Sequence, residues 1–266
     1  MTLQARDLAY AYLLGQPVLH EISLSIPQGK VTFILGANGS GKTTLLECLC
    51  GVRGVTAGEV TIDGIAIGLL RSRERARAIG YVPQIHEPVF AYTVREVALM
   101  GRAPHLGFLS RPTTADWDAA ERALESVGLW ALRNRPYTAT SGGERRLALI
   151  ARGLAQGARY LLMDEPDAHL DPAYQHRILS NVIRLTTEGF TVVVSSHTPN
   201  NALLYADRVI FLANGRVIME GPPAEVVTPG NLERAYGIPF EVIKDGAGRQ
   251  AVLPVIGPVP HRGRGE

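Results

Sequence analysis

The sequence is poor in several features that would point to a function by themselves. Cysteine occurs at Cys48 and Cys50 alone, too few for a cysteine-based metal site without further ligands nearby, and this usage fits a reducing compartment. The net charge is +2, so no strong basic field argues for a nucleic-acid partner. Neither a charged-then-apolar leader nor an apolar run of about 18 residues is found. We therefore expect any work at a membrane to be done from its aqueous side.

Composition bounds the architecture. The chain has 266 residues, 46% hydrophobic and 20% charged, which suits one globular domain with subdivisions, or two small ones. Lysine is confined to Lys30, Lys42 and Lys244 among 27 basic residues, a bias that we attribute to the genome rather than to function.

The most informative stretch is GANGSGKT at residues 36–43, which fits the P-loop pattern G-x-x-x-x-G-K-[ST]. Its glycines let backbone N–H groups surround phosphate oxygens, Lys42 reaches the β- and γ-phosphates, and the Thr43 hydroxyl can ligate Mg²⁺. The apolar run at 31–35 and the helical pattern at 43–51 supply the strand and helix that this pattern requires. The chance that a chain of this length matches the pattern at random is about one in a hundred. The assignment to nucleotide hydrolysis therefore depends on the motifs that follow.

Local patterns predict a mixed α/β chain with a helical insert. Antiparallel strands are predicted at 4–10 and 18–26, further strands at 59–64 and 79–84, parallel-type strands at 160–164 and 190–196, and a hairpin at 209–219. The insert, residues 88–158, has a capping box at 93–96 and helices at 116–129 and 141–157. Asp171-Pro172 marks another helix start. The charge run at 71–77 is interpreted as a solvated helix face, with a headgroup or partner contact as the alternative, and disorder is predicted from about residue 254.

Two acids follow the apolar run at 160–164, where a buried strand ends. Asp164 is a candidate to hold Mg²⁺ directly or through water, and Glu165 to polarise an attacking water. The alternative is that both cap the next element. Gln84 is a candidate for the metal or the water, and His197 for the γ-phosphate, because ligands bind at the carboxyl ends of sheet strands. Either side chain, taken alone, is more often without such a role.

The segment SGGE at residues 141–144 is the least usual motif. Two glycines at a helix N-terminus expose N–H groups, and the helix dipole favours an anion there; an ordinary helix cap is the alternative. Since this second phosphate-binding helix end lies on an insert away from the P-loop, we expect the site to be completed by another copy of the chain.

Taken in order, these motifs resemble the nucleotide-binding subunit of ATP-binding cassette (ABC) transporters over roughly residues 3–240. The family pattern places a Walker A loop at 36–44, a Q-loop at Gln84, a signature at 140–144, Walker B at 160–164 with its catalytic glutamate at Glu165, a D-loop at 168–171 and a switch histidine at His197. An aromatic residue before Walker A stacks on adenine in this family. Tyr12 matches that position best, with Tyr10 as its rival.

The resemblance implies a complete set of site residues. Gln84, Glu165 and His197 are assigned to catalysis, and Thr43, Gln84 and Asp164 to Mg²⁺. The nucleotide-binding residues are Tyr12, Gly36, Asn38, Gly39, Ser40, Gly41, Lys42, Thr43, Thr44, Ser141, Gly142, Gly143, Glu144 and Asp171. The sequence departs from the family pattern at Thr140, usually leucine, at Glu144 and Arg146, often glutamine, and at Asp167, usually threonine or serine. These departures affect the signature helix and not the phosphate contacts.

The implied fold is α/β, with a P-loop NTPase (RecA-like) core, an N-terminal antiparallel β layer and an inserted helical subdomain. The ATPase domain would span 1–240, with its core at 1–87 and 159–240 and the helical subdomain at 88–158, followed by a C-terminal extension at 241–266. The resemblance further implies a head-to-tail homodimer closing around two ATP molecules. It would lie on the cytoplasmic face of the inner membrane, with a permease docked on the insert and a periplasmic or extracellular binding protein as an indirect partner.

The strings at 99–108 and 232–243 resemble importers of iron-siderophore, haem, cobalamin and related metal chelates, and those at 90–102 and 196–200 also resemble molybdate and tungstate importers. Three alternatives remain open at the level of sequence. They are a soluble ABC ATPase acting on ribosomes or DNA, which usually carries two cassettes or a long coiled coil, a P-loop kinase or GTPase, and an exporter cassette, which is often fused to its membrane domain. The sequence does not name the cargo.

Overall fold

The computed structural model describes residues 2–12, 15–84, 90–107 and 109–255. The strands are β1 (Leu3–Ala11), β2 (Pro17–Ile26), β3 (Val31–Leu35), β4 (Ala57–Ile62), β5 (Ile65–Ala66), β6 (Ile79–Val82), β7 (Tyr160–Asp164), β8 (Thr191–Ser196), β9 (Arg208–Ala213), β10 (Arg216–Gly221), β11 (Phe240–Lys244) and β12 (Gln250–Pro254). The helices are α1 (Lys42–Leu49), α2 (Ser72–Ala78), α3 (Val94–Leu99), α4 (Thr114–Ser126), α5 (Gly142–Ala155), α6 (Pro172–Thr187), α7 (Pro199–Tyr205), α8 (Pro223–Val226) and α9 (Pro229–Tyr236). Of the tail predicted to be disordered, residues 256–266 lie outside the described residues.

The central sheet has six strands in the order β10-β9-β3-β8-β7-β6. Strands β9, β3, β8, β7 and β6 run parallel, and β10 is antiparallel to β9. Every residue of β3, β7 and β8 is buried, as expected for strands covered on both faces. Because these three strands run parallel and in adjacent positions, the residues that follow them lie at one edge of the sheet.

A second, four-stranded antiparallel sheet has the order β2-β1-β4-β5, which confirms the predicted N-terminal β layer. Helix α1 lies between the two sheets, since Leu45, Leu46 and Leu49 share one hydrophobic cluster with Leu3 of β1 and Leu162 of β7. Cys48 and Cys50 are buried in this cluster, where burial raises the pKa of Cys48 to about 12 and that of Cys50 to about 11. The prediction that they pack as small apolar residues is confirmed.

The helical insert contains α3, α4 and α5, which pack on one another around a shared hydrophobic cluster. Two capping boxes are confirmed, Thr93 with Glu96 and Ser141 with Glu144. Helix α4 begins at Thr114 and not at 116, because Thr113 is the cap and the Asp116 carboxylate accepts its backbone N–H at 2.9 Å. Asp116 also accepts from Arg102 at 3.0 Å, and the bonds from Thr113 and Arg102 hold its pKa at about 2.

The C-terminal extension begins with a hairpin that was not predicted. Strands β11 and β12 pair antiparallel from Phe240↔Pro254 to Lys244↔Gln250. The Asn200 side chain of α7 accepts from the Val252 N–H at 2.7 Å and donates to its carbonyl at 3.0 Å. The Asn200 amide thus pairs with an otherwise open strand edge, and Val252 of the hairpin is buried in the main hydrophobic cluster.

Helix α2 contains most of the charge run at 71–77, and none of its residues is buried. The neighbouring segment Met100–His105 crosses the insert helix α5 at close range. A methyl group at Gly101 would lie 2.0 Å from the Arg152 carbonyl oxygen and 3.1 Å from the Gln156 nitrogen. Glycine is therefore required at this crossing for lack of space rather than for its dihedral angles.

We predict that Gly101→Ala destabilises the protein, because both obstructing atoms belong to the backbone. Overpacking of this kind costs roughly 1–3 kcal/mol, measured as a lower midpoint in urea unfolding. Gly230 in α9 is the control, since a methyl group there meets nothing within 4 Å, and Gly230→Ala should be neutral or slightly stabilising. Equal midpoints for the two variants would contradict the close crossing.

Candidate active site

The loop after β3 folds as a glycine-dependent turn. Gly39 and Gly41 have φ angles of +79° and +103°, which L side chains rarely adopt. A methyl group on Gly36 would lie 2.2 Å from the Leu212 carbonyl oxygen of β9. The three glycines of the motif thus serve the tight turn and its close approach to the sheet.

The Lys42 ammonium lies inside this loop, only 5% exposed. It donates to the carbonyl oxygens of Gly36 at 3.0 Å and Ala37 at 3.1 Å, and lies 3.4 Å from Oε1 of Glu165. A buried ammonium requires such partners, since leaving it unpaired would cost several kcal/mol.

Asp164, at the end of β7, is almost fully buried and joins three elements. Its Oδ2 accepts from Thr43 Oγ1 of α1 at 2.7 Å, and its Oδ1 accepts from Ser195 Oγ of β8 at 2.5 Å. Ser195 Oγ also accepts the backbone N–H of Glu165 at 2.9 Å. Burial raises the pKa of Asp164, while the hydrogen bonds from Ser195 and Thr43 oppose that rise. Sequence reasoning missed Ser195, although a polar residue in the apolar run at 190–196 was a signal.

Glu165 has a φ angle of +43°, a left-handed conformation that costs a non-glycine residue about 1–3 kcal/mol and often accompanies function. Its carboxylate is the meeting point of the predicted catalytic residues. Oε2 accepts from Gln84 Nε2 at 2.9 Å and lies 3.4 Å from His197 Nδ1, while Oε1 faces Lys42. The structure thus brings Gln84, Glu165 and His197 together, although they come from three separate segments.

These residues open onto a cleft of about 610 Å³. Its lining residues are Tyr12, Val18, Asn38, Gly39, Gly41, Lys42, Thr43, Thr44, Gln84, Glu165, His169 and His197. Gly36 and Ser40 belong to the loop but do not line the cleft. His169 was not predicted as a site residue, although it lies in the segment 168–171 that the family pattern assigns to the D-loop.

Tyr12 lines the cleft, is 44% exposed, and has its hydroxyl 3.4 Å from Thr44 Oγ1. Tyr10 does not line it, and its hydroxyl accepts instead from Arg53 at 3.2 Å. The Arg53 guanidinium lies 5.1 Å from the Tyr12 ring centroid and 5.7 Å from that of Tyr10, and the two rings meet edge to face at 5.3 Å. Tyr12 is therefore the better placed of the two for a planar ligand.

The structure does not bring the SGGE segment to this cleft. Ser141 and Gly142 are exposed at the start of α5, and the Glu144 carboxylate accepts the Ser141 N–H at 2.7 Å. A methyl group on Gly143 would lie 2.5 Å from the Tyr174 ring of α6. Asp171 likewise does not line the cleft, and its Oδ1 accepts from the N–H groups of Ala173 at 2.9 Å and Tyr174 at 3.1 Å.

Three departures from the family pattern have local partners. Thr140 donates to the Tyr137 carbonyl at 2.6 Å. The buried Asp167 accepts from Asn201 at 2.5 Å, and burial raises its pKa. Arg146 donates to the carbonyls of Pro83 and Gln84, each at 2.6 Å. None of the three removes a group from the wall of the cleft.

Within the described ranges, no three histidine, cysteine or acidic side chains converge as a self-sufficient metal site. The Thr43 hydroxyl and the Asp164 carboxylate, hydrogen-bonded beside the phosphate loop, are nevertheless hard oxygen donors of the kind that Mg²⁺ takes together with substrate phosphates. Among the helices that the structure describes, none has both the length and the apolar character needed to cross a membrane.

Comparison with known proteins identifies this arrangement. The family model described as "ABC transporter" matches residues 19–168. The hemin import ATP-binding protein HmuV of Burkholderia pseudomallei (strain 1710b) is 38% identical over 262 residues, covering 92% of this chain and 95% of that protein. An inward-facing, putative metal-chelate type ABC transporter structure superposes with a TM-score of 0.84 at 29% identity, covering 96% and 98% of the two chains.

A dimeric bacterial ABC transporter cassette superposes with a TM-score of 0.73 at 29% identity, covering 83% of this chain and 98% of that one. These matches confirm the predicted α/β P-loop NTPase fold with its antiparallel β layer and helices. The chain belongs to the ABC transporter family and is an ABC-type ATPase.

Proposed function

We propose that this chain is the ATP-hydrolysing subunit of an importer for a metal chelate, with haem as the first candidate cargo. The main support for ATP hydrolysis at this site is that Lys42, Gln84 and His197 all face the Glu165 carboxylate beside the phosphate loop. The cargo is supported by similarity to a protein named for hemin import and to a metal-chelate type transporter. The sequence strings that also resemble molybdate and tungstate importers keep that cargo as the alternative.

ATP enters the cleft with its adenine on Tyr12 and its triphosphate against the N–H groups of residues 36–44. The Lys42 ammonium then leaves the loop carbonyl oxygens and Glu165 and bonds to the β- and γ-phosphates. Charge-assisted hydrogen bonds of this kind are strong. Thr43 and Asp164 would hold Mg²⁺, and Gln84 would be a further candidate ligand. When bound, this ion neutralises charge on the phosphates.

Hydrolysis then depends on Glu165. Its carboxylate accepts a proton from the water that attacks the γ-phosphorus, the bond from that phosphorus to the β–γ bridging oxygen breaks, and ADP and phosphate are released. Gln84 and His197 both face Oε2 of Glu165. They therefore orient the carboxylate and the water, and His197 also contacts the γ-phosphate.

A second copy completes each site. Ser141 and Gly142 are exposed at a helix N-terminus that does not line the cleft of its own chain, and such an end favours an anion. In a head-to-tail homodimer, the segment 141–144 covers the ATP held by the partner's loop, with Asp171 near the same interface.

The permease docks on the helical insert, on the cytoplasmic face of the inner membrane. Support comes from a cleft of about 620 Å³ where the segment Met100–His105 of the insert faces α2 and β6 of the core. Val52 and Met100 line it and are 65% and 42% exposed. Residues of β6 line this cleft, and Gln84 follows β6 just before the insert with its side chain on Glu165. A partner seated here therefore contacts the strand that leads to the proposed catalytic carboxylate.

We predict that Glu165→Gln abolishes most turnover but not ATP binding. The amide keeps the shape of the carboxylate but cannot accept the proton, so hydrolysis should fall by roughly 10²–10⁴-fold. The ATP-bound dimer should accumulate in size-exclusion chromatography with ATP and disappear without it. Glu188→Gln, at an exposed ion pair with Arg184 at the end of α6, is the control with normal turnover. Unchanged turnover in Glu165→Gln would move the base elsewhere, with His197 the first candidate.

We predict that Ser141 acts on the partner's nucleotide. Ser141→Arg and Lys42→Ala homodimers should both be inactive, whereas a purified mixed dimer has one site with both changes and one with neither. That intact site should restore up to about half of the wild-type turnover in a two-fold symmetric dimer, and less if the sites are coupled. Full turnover in monomeric protein would contradict the composite site.

We predict that deletion of the gene in its own host abolishes growth on haem as the iron source and leaves growth on inorganic iron intact. The wild-type gene should restore growth, and the Glu165→Gln gene should not, because transport requires hydrolysis. Loss of siderophore or cobalamin uptake instead would place the cargo elsewhere among metal chelates. Loss of molybdate uptake alone would overturn the proposed cargo class.

A further inference from the structure

The arginine in the second turn of α5 spans two parts of the active site. The two terminal nitrogens of Arg146 donate to consecutive carbonyl oxygens, those of Pro83 and Gln84, each at 2.6 Å. Bonds of this length from a charged donor are among the stronger hydrogen bonds in proteins, and the planar fork of guanidinium suits two fixed acceptors. The proposed hydrolysis mechanism leaves this contact without a role.

The two carbonyls belong to backbone that the sheet does not hold. The pairing of β6 with β7 ends at Val82↔Met163, so Pro83 and Gln84 lie just beyond the ladder. Proline contributes no N–H to such a ladder. Among the contacts that the structure describes, Arg146 is the group that holds the Gln84 carbonyl, and it therefore contributes to the position of this backbone.

The Gln84 side chain continues the connection. Its Nε2 donates to Oε2 of Glu165 at 2.9 Å. A displacement of the Gln84 backbone thus changes the orientation of the carboxylate that is proposed to accept the proton. Burial lowers the pKa of the Arg146 guanidinium, while the nearby Tyr137, Asp164, Asp167 and Glu165 oppose that change.

We propose that Arg146 is a positioning residue for hydrolysis, which fixes the backbone of residues 83–84 and thereby sets the Gln84 amide against Glu165. The inference rests on the proposed ATPase role of Glu165. The inference also connects the signature segment to ATP hydrolysis. Arg146 lies on the helix that Ser141 caps, and Ser141 is proposed to contact the partner's nucleotide. Glutamine, the residue often found at this position in the family, has one amide group and no charge with which to hold two carbonyls.

The first experiment separates kcat from KM. In Arg146→Gln, kcat should fall by between about tenfold and a hundredfold, the cost of misplacing a reacting group by around 1 Å. KM and the Kd for ATP should change less than twofold, because Arg146 does not line the cleft. Arg146→Lys keeps the positive charge but lacks the two planar donor nitrogens, so its kcat should lie between those of the wild type and Arg146→Gln. The lysine variant also replaces Arg146→Gln in this test if the glutamine variant does not fold.

Arg177 supplies a matched control. It also donates to two consecutive carbonyls, those of Val127 at 3.3 Å and Gly128 at 2.8 Å, after the end of α4. Arg177→Gln should leave kcat unchanged. If Arg146→Gln and Arg177→Gln lower kcat equally, or if Arg146→Gln raises KM and Kd with kcat unchanged, the positioning role is overturned.

The decisive experiment places the lysine and glutamine variants in a Gln84→Ala background. If Arg146 acts through Gln84, neither variant should lower kcat further once the amide is gone. A further loss by the same factor as in the wild-type background would overturn the proposal. Failure of the proposed ATPase role would look different, since Glu165→Gln would then leave turnover unchanged.

Discussion

The buried carboxylate of Asp164 connects the elements that form the active site at one edge of the central sheet. It ends β7, accepts from Ser195 on β8 and accepts from Thr43 on α1. These bonds tie two strands and the helix after the phosphate loop to one charge. Removing either donor would leave a buried anion partly unsatisfied, which costs more than the hydrogen bond itself contributes. The relative positions of the loop, the strand ends and Glu165 follow from this contact.

The same contact explains how Glu165 keeps a strained backbone. Ser195 donates to Asp164 and accepts the Glu165 N–H at 2.9 Å, so one hydroxyl fixes both the buried carboxylate and the left-handed residue after it. A strained residue persists only where its surroundings over-determine it. Here Ser195 fixes the Glu165 backbone, and Gln84 and Lys42 fix its carboxylate. In this conformation Glu165 lines the cleft.

The sequence was sufficient to predict a structural feature where the residues that determine it are neighbours in the chain. The phosphate loop, the Ser141–Glu144 box and the turn at Asn214-Gly215, with both φ angles positive, depend on residues within a few positions of one another. The start of α4 was misplaced by two residues because Asp116 was taken as the first helical residue, whereas it is the third residue after the Thr113 cap. Features that involve distant residues were missed, such as the hairpin at 240–254, which is bonded to Asn200. The Tyr174 ring over Gly143 gives that glycine a packing reason that no spacing could suggest.

The electrostatics of the cleft give the order in which these groups can act. Lys42 is held by two carbonyl oxygens and the Glu165 carboxylate, and a triphosphate carries more negative charge than these three partners together. Phosphate oxygens should therefore displace Glu165 from the ammonium, because charge-assisted bonds strengthen with the charge of the acceptor. Once released, the carboxylate still has Gln84 and His197 beside Oε2, so it keeps its orientation. In this arrangement the substrate itself would free the proposed base, and the proposed role of Arg146, through its contact with residues 83–84, is to set where the freed carboxylate points.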